Sequence, residues 1–271
     1  MVLLDARAQR FEIGAQMGTA GYIGDLNPSN VLPVNGPSFG AFVRLNFDPY
    51  WSLGIHYNYG KIGANDNKAK NLAFQDRNLN FSNKLHEFSF IGNFNFFDMY
   101  MNGSKKRFSP YLFAGLGGVI FNPTTPDANG KEVALRYVKY TAAGDTTYYS
   151  TEGRTVPYMR YTIVLPYGVG IKYKKNDNWT IFGQVGYRAS FTDYLDDVSG
   201  VYPVAGYDKD KGGYYDKDGK PLPLIDRSGI AGKPGKFKPG DQRGDSRKFD
   251  AYLFVNVGIS FTFVGEKCFT F

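Results

Sequence analysis

The chain has 271 residues, 17% of them aromatic, with 33 Gly, a formal charge of +7, one Cys and two His. A single Cys excludes an intramolecular disulfide and any multi-thiolate metal site, and two His leave little for metal or acid–base chemistry. No stretch approaches the ~18 apolar residues of a spanning helix, so a membrane could be crossed only by strands closed into a barrel.

Taken from the start, Met1-Val2-Leu3-Leu4 is a short apolar run, and Ala6-Arg7-Ala8 before Gln9 has the small-x-small form of a secretory cleavage site. Residues 1–10 read as the remnant of a signal peptide, its apolar region cut short by Asp5, with a disordered leader as the alternative. The rest, 11–271, reads as one barrel. Eight runs alternate with period two: 11–20, 38–47, 51–59, 85–97, 110–120, 163–173, 179–191 and 250–264. In the second run Phe39, Ala41, Val43, Leu45 and Phe47 share a face. In the fourth, Phe88, Phe90, Phe94 and Phe96 oppose Glu87, Ser89, Asn93 and Asn95. The fifth is apolar or Gly on both faces. The sixth contains Pro166, which removes a ladder donor and suggests a bulge. Runs of about ten residues with aromatic ends and a small or polar second face are the signature of a transmembrane β-barrel. The fold expected is therefore an all-β, eight-stranded antiparallel barrel. A soluble sandwich is the alternative.

The connections separate by length. Those after runs two, four and six are short, and those after one, three, five and seven span about 17, 25, 42 and 58 residues, the last being 192–249. Short turns at one rim and long loops at the other place the turns and both termini in the periplasm and the loops outside the cell, in an outer membrane. A sandwich has no reason to segregate its loops in this way.

An eight-stranded barrel has an interior that side chains fill. The inward set includes Glu12, Gln16, Arg44, His56, Glu87, Lys172, Gln184 and Arg188. Buried ions must be paired, so Glu12, Arg44, Glu87 and Arg188 are expected to form an ion-pair network plugging the lumen, with a gated pore or proton-linked site as the alternative. The positive excess does not come from loop 192–249, which carries 11 Lys or Arg and 10 Asp. It gathers on the short-turn rim as Lys105, Lys106, Arg107, Lys172, Lys174 and Lys175, with Lys267 near the end. Such a rim would face anionic lipid head groups or an acidic periplasmic protein. The compartment excludes nucleic acid.

In the loops, Asp208, Asp210, Asp216 and Asp218 have calcium-turn spacing but lack the closing Glu, so a solvated Gly- and Lys-rich turn is the competing reading. Asp193, Asp196 and Asp197 would anchor a cation or pair with Arg243 and Arg247. Both His lie on strands, away from any loop nucleophile, so no enzyme and no cofactor are expected.

The opening Phe11-Glu12-Ile13-Gly14 with Gly21-Tyr22-Ile23-Gly24-Asp25-Leu26, the stretch 192–199 around Asp193, Asp196 and Asp197, Arg243-Gly244 before Asp250 and Tyr252, and the ending Lys267-Cys268-Phe269-Thr270-Phe271 together resemble a Bacteroidetes outer-membrane barrel family. That family is represented by PorG of the type IX secretion system and is partly of unknown function. Phe269 stands where the family usually has Pro. The resemblance implies a non-enzymatic structural or anchoring barrel of the type IX protein secretion and gliding machinery. Its implied partners are outer-membrane lipid and periplasmic ring proteins like PorK and PorN, approached from the Lys267 and Cys268 tail. Beside it stands a general small outer-membrane barrel for surface binding or envelope stability and, third, a narrow pore.

Overall fold

The computed structural model describes residues 10–26, 34–69, 71–99, 106–127, 129–142, 144–229, 235–245 and 247–263. Of residues 1–10, read as a signal-peptide remnant, only Arg10 lies within them, at the start of the first strand; the tail with Lys267 and Cys268 falls outside them, as does Lys105. Eight long strands carry the fold: β1 Arg10–Ile23, β2 Gly36–Asn46, β3 Trp51–Asn65, β4 Asn80–Asn95, β5 Phe108–Ile120, β6 Tyr161–Lys174, β7 Trp179–Ser190 and β8 Ala251–Phe263. Each pairs antiparallel with the next, and β8 returns to β1, so the sheet closes. Closure rules out the sandwich. Stepping between paired residues from Phe11 leads through Leu45, Leu53, Gly92, Ala114, Tyr167, Tyr187 and Leu253 back to β1 at Gly21. The path returns ten residues up the strand (11 to 21), and this stagger sets the tilt of the strands.

The outer face is apolar and bare. Ile55 is 57% exposed and Phe90 60%, values a water-soluble core strand would not show at its most apolar positions. At the short-turn end aromatic pairs ring the barrel: Phe11 with Phe263, Trp51 with Phe94, Phe108 with Tyr173 and Trp179 with Phe261. An apolar wall with an aromatic girdle belongs in a bilayer. The protein is thus a small outer-membrane barrel, with short turns and the strand ends Arg10 and Phe263 on the periplasmic side.

Two expectations need correction. β3 and β4 run well past the alternating segments, pairing Lys61 with Lys84 and ending at Asn65 with Asn80. Above the membrane the outward positions turn polar, so hydrophobic alternation ends before the ladder does. The other strand ends shift by smaller amounts. Pro166 makes no bulge. The pairing of β6 with β7 runs through Pro166 and Arg188 without a step, and the ladder to β5 resumes in the same register at Tyr167 and Ala114 after a gap. The strand tolerates the missing N–H as a local break on one side.

Inside, large side chains stand against glycines. A Cβ on Gly186 would lie 2.7 Å from the Phe113 ring and 2.1 Å from Arg188 Nη1, so the aromatic that made β5 look ambiguous fills the lumen over a bare β7 backbone. At the extracellular end the lumen becomes apolar, with Ala20, Tyr22, Leu85, Val119 and Phe254 packed against Phe121, Leu195 and Val198 from the loops. Farther out, Tyr140, Tyr202, Tyr214 and Ile225 form a second buried cluster. The long loops therefore fold into a cap with its own core.

Candidate functional site

The lumen is filled in layers. Nearest the periplasm, Glu12 and Arg44 face each other across the β1–β2 register. Arg44 Nη1 lies 3.4 Å from Glu12 Oε1, and Asn46 Nδ2 donates to Glu12 Oε2 at 3.0 Å. Lys172, expected both inside and on the rim, is inside: it is buried and donates to Asn95 Oδ1 at 2.8 Å. In the middle, hydrogen bonds cross the barrel from Tyr111 to Gln184 (2.7 Å), Gln184 to Gln16 (2.8 Å), Gln16 to Asn58 (2.6 Å) and Asn58 to Glu87 (3.0 Å). Glu87 also accepts from Arg188 Nε at 3.2 Å and Tyr252 OH at 2.7 Å. His56 stacks on Phe42, ring centres 4.9 Å apart. Strand alternation alone brings these polar side chains inward, and their mutual bonds compensate for the water they have lost.

Over this plug sits an acidic seal. Tyr22 OH reaches Asp196 Oδ2 at 2.5 Å and Asp250 Oδ1 at 2.7 Å, and Asp250 Oδ2 accepts from the Leu195 N–H at 3.0 Å. Gly24 makes room, since a Cβ there would lie 2.0 Å from the Tyr22 oxygen and 2.1 Å from Asp250 Oδ1. Burial raises Asp196 and Asp250 well above the usual carboxylate range, and the Asp250 charge adds to the effect on Asp196. Burial and then Asp196 push Asp25 up to about 9. Burial also raises Asp193 and Asp197.

The carboxyls of Asp193, Asp196 and Asp197 are not the ion-pair partners of Arg243 and Arg247. The Asp196 carboxyl goes to Tyr22 and the Val198 N–H, and that of Asp197 to Thr151, whose hydroxyl lies 2.5 Å away. Arg243 pairs with Glu152 and touches Asp197 only through its carbonyl, while Arg247 pairs with Asp245. The sequence reading missed Glu152, which burial pushes up to about 7 against the pull of Arg243. It also missed Arg77, which holds Asp66 at 2.8 Å and reaches the Arg243 and Asp25 carbonyls, tying the loop after β3 to the seal. Neither carries a periodic sequence signal: Glu152 is paired from another loop, and Arg77 reaches Asp66 of its own loop, eleven residues back, and carbonyls of two others. Asp208 and Asp216 accept backbone N–H groups of their own turns, and among the described residues no three His, Cys, Asp or Glu are placed to hold a metal.

Beside the seal the cap opens into a cleft of about 820 Å³, lined by Tyr148, Tyr207, Tyr215, Glu152, Asp208 and Asp216 among others. On the opposite rim, the Lys174 N–H donates to the Arg107 carbonyl, setting two periplasmic turns side by side. Lys106, Arg107 and Lys175 are exposed. Lys106 lies over the Phe97 ring, and Lys174 pairs with Asp177 at 2.9 Å.

The chain belongs to the family described as a domain of unknown function, DUF6089, whose match covers residues 1–136. That match ends beyond β5, yet the barrel closes only with β6 to β8, so its end is not a structural boundary. No curated protein matches the chain. Among solved structures, Neisserial surface protein A is 11% identical with a TM-score of 0.43, over 93% of this chain and 97% of that one. A major outer membrane protein from Thermus thermophilus is 13% identical with a TM-score of 0.42, over 95% and 100%. The N-terminal β-barrel domain of Pseudomonas aeruginosa OprF is 11% identical with a TM-score of 0.36, over 94% and 97%.

Proposed function

We propose that the protein is a non-enzymatic outer-membrane barrel that works at the cell surface, with its extracellular cap as a binding module. The observation that carries this reading is the folded state of the cap. The loops after β5 and β7 share a buried aromatic core of Tyr140, Tyr202 and Tyr214 and hold each other through Arg243, Glu152, Thr151 and Asp197. Plain connections need no core of their own, whereas a rigid surface loop layer presents fixed groups to a ligand. The plugged lumen argues against the narrow pore.

A second reading is anchoring within the type IX secretion machinery, with PorK- and PorN-like ring proteins docking on the periplasmic rim. Its support is the sequence resemblance and the exposed cations Lys106, Arg107 and Lys175, joined by Lys174. The two readings separate in one experiment. The barrel is isolated from native outer membrane after mild solubilisation, with and without prior shaving of the cell surface by protease. Material retained only from unshaved cells supports the cap. Co-isolation of a periplasmic ring regardless of shaving replaces surface binding with anchoring.

A further inference from the structure

We propose that the cap cleft binds carbohydrate, specifically a short neutral glycan; this rests on the surface-binding reading. Three features of the lining choose the class. The first is a set of tyrosine faces. Tyr148 stacks on the buried Tyr140, ring centres 5.7 Å apart at 26°, and Tyr207 packs edge-on against the buried Tyr214 at 5.4 Å. Tyr214 is pinned in turn by donating to the Pro203 carbonyl at 2.9 Å. The aromatic walls are therefore held by the cap core before any ligand arrives, which lowers the ordering cost of binding. The C–H faces of a pyranose ring pack on such walls as apolar surface.

The second feature is the acceptors. Asp208, Asp216 and Glu152 line the same cleft. Each is fixed in place: Asp208 and Asp216 through Oδ1 by their turn N–H groups, Glu152 through Oε1 by Arg243 and the Ser199 N–H. Carboxylate oxygens accept hydrogen bonds from sugar hydroxyls. A hydrocarbon ligand would leave these groups desolvated without partners, which is costly.

The third is charge. Lys209 is the one cation among the lining residues, against three carboxyl groups. Two of these carboxyls are already ion-paired, Glu152 with Arg243 and Asp208 with Lys211, so the cleft carries little net charge of either sign and a neutral chain of hydroxyls fits it best. The cleft volume is that of a small-molecule site, and its concavity suits a chain end better than a flat protein face. The lining residues come from both long loops, which explains why the two fold together.

The test uses the intact protein in detergent on an array of immobilised neutral, sialylated and sulfated glycans, followed by titration calorimetry with the best soluble hit. Binding to neutral oligosaccharides is expected, insensitive to added NaCl. Tyr207→Ala and Tyr148→Ala should each weaken it at least tenfold. Tyr207→Phe, which keeps the ring, should stay within about threefold. Unchanged circular dichroism and unchanged heat-dependent gel mobility show that each variant is folded. A blank array, binding confined to anionic glycans, binding of peptides only, or affinity unchanged from the parent protein in both alanine variants would overturn the proposal. A blank array from a protein that still retains cap-dependent material in the shaving experiment removes the glycan alone and leaves surface binding intact. Loss of both removes the broader reading.

Discussion

Tyr22 donates its hydroxyl proton to Asp196 across 2.5 Å, joining the top of β1 to a loop 174 residues further along the chain. The same oxygen lies 2.7 Å from Asp250 Oδ1. One phenol proton is shared between two buried, neighbouring carboxyls, an arrangement that disfavours charge on both of them. The seal over the lumen therefore holds a protonated carboxyl group, in keeping with the raised pKa of both aspartates.

The cap should consequently be more stable in mild acid than in alkali. For carboxyls whose folded pKa is raised, the stabilisation is full below the unfolded value of about 4 and is lost as pH rises through the folded value. For Asp25 that loss completes near the value of about 9. The limiting slope is about 1.4 kcal/mol per pH unit for each retained proton. Thermal melting of the cap, followed by near-ultraviolet circular dichroism in detergent, should show a midpoint that falls from pH 5 to pH 9. Asp250→Asn keeps a donor toward the Tyr22 oxygen without a titrating group and should flatten the curve. A midpoint that rises with pH in the parent protein would refute the protonated seal.

Arg188 and Arg44 should differ in what their loss costs. Arg188 is 1% exposed and pairs with Glu87 at 3.2 Å in the middle of the lumen. Arg188→Met leaves Glu87 buried with neutral donors only, Asn58 and Tyr252 among them, and should cost about 3–5 kcal/mol, with much of it recovered on adding Glu87→Gln. Arg44→Met should cost less, because its contact with Glu12 is 3.4 Å and a second cation, Lys172, still acts on that carboxylate. Denaturant unfolding in detergent measures both. Equal losses would mean that the two pairs are equivalent.

The layered filling also predicts the electrical behaviour. From Arg44 through the Gln16–Asn58–Glu87 chain to Phe254, no level of the lumen lacks a large buried side chain. Planar bilayers holding the protein should show no steps on the nanosiemens scale. Gly186→Ala drives a methyl against Phe113 and Arg188 and should destabilise the barrel by about 1–3 kcal/mol rather than open it. Stable conductance in the parent protein would contradict the plug.

The barrel was legible because two faces in different solvents impose period two on every crossing strand. Phe39, Val43 and Leu45 carry it on one face as plainly as Glu87, Ser89 and Asn93 do on the other. The extension of β3 to Asn65 was not legible, because outside the membrane Lys61 and Lys84 pair through backbone alone. The cap was invisible for a different reason. Its contacts link Arg77 to the Arg243 carbonyl and Arg243 to Glu152, partners drawn from separate loops with no shared period. The acidic stretch 193–197 reads as a run of charge, yet its role depends on Tyr22 and Thr151, which no local pattern connects to it.

The periplasmic rim provides the test between anchoring and surface binding. Lys106, Arg107 and Lys175 are exposed on turns that the Lys174–Arg107 backbone bond holds together. Reversing Lys106, Arg107 and Lys175 to Glu touches exposed side chains only and leaves Lys174, which donates to the Met99 carbonyl, in place, so barrel folding should be unchanged in gel mobility. If a ring docks there, its co-purification should fall and should weaken further with salt, since exposed charges are screened over about 8 Å at physiological ionic strength. Three acidic changes at Lys209, Lys211 and Lys217 alter the same amount of charge at the opposite end of the barrel, and all three already pair with or neighbour acidic side chains. Surface binding predicts the reverse pattern, with loss of retained material only in the cap variant. Equal retention of a periplasmic partner by both variants would remove the rim as its docking site.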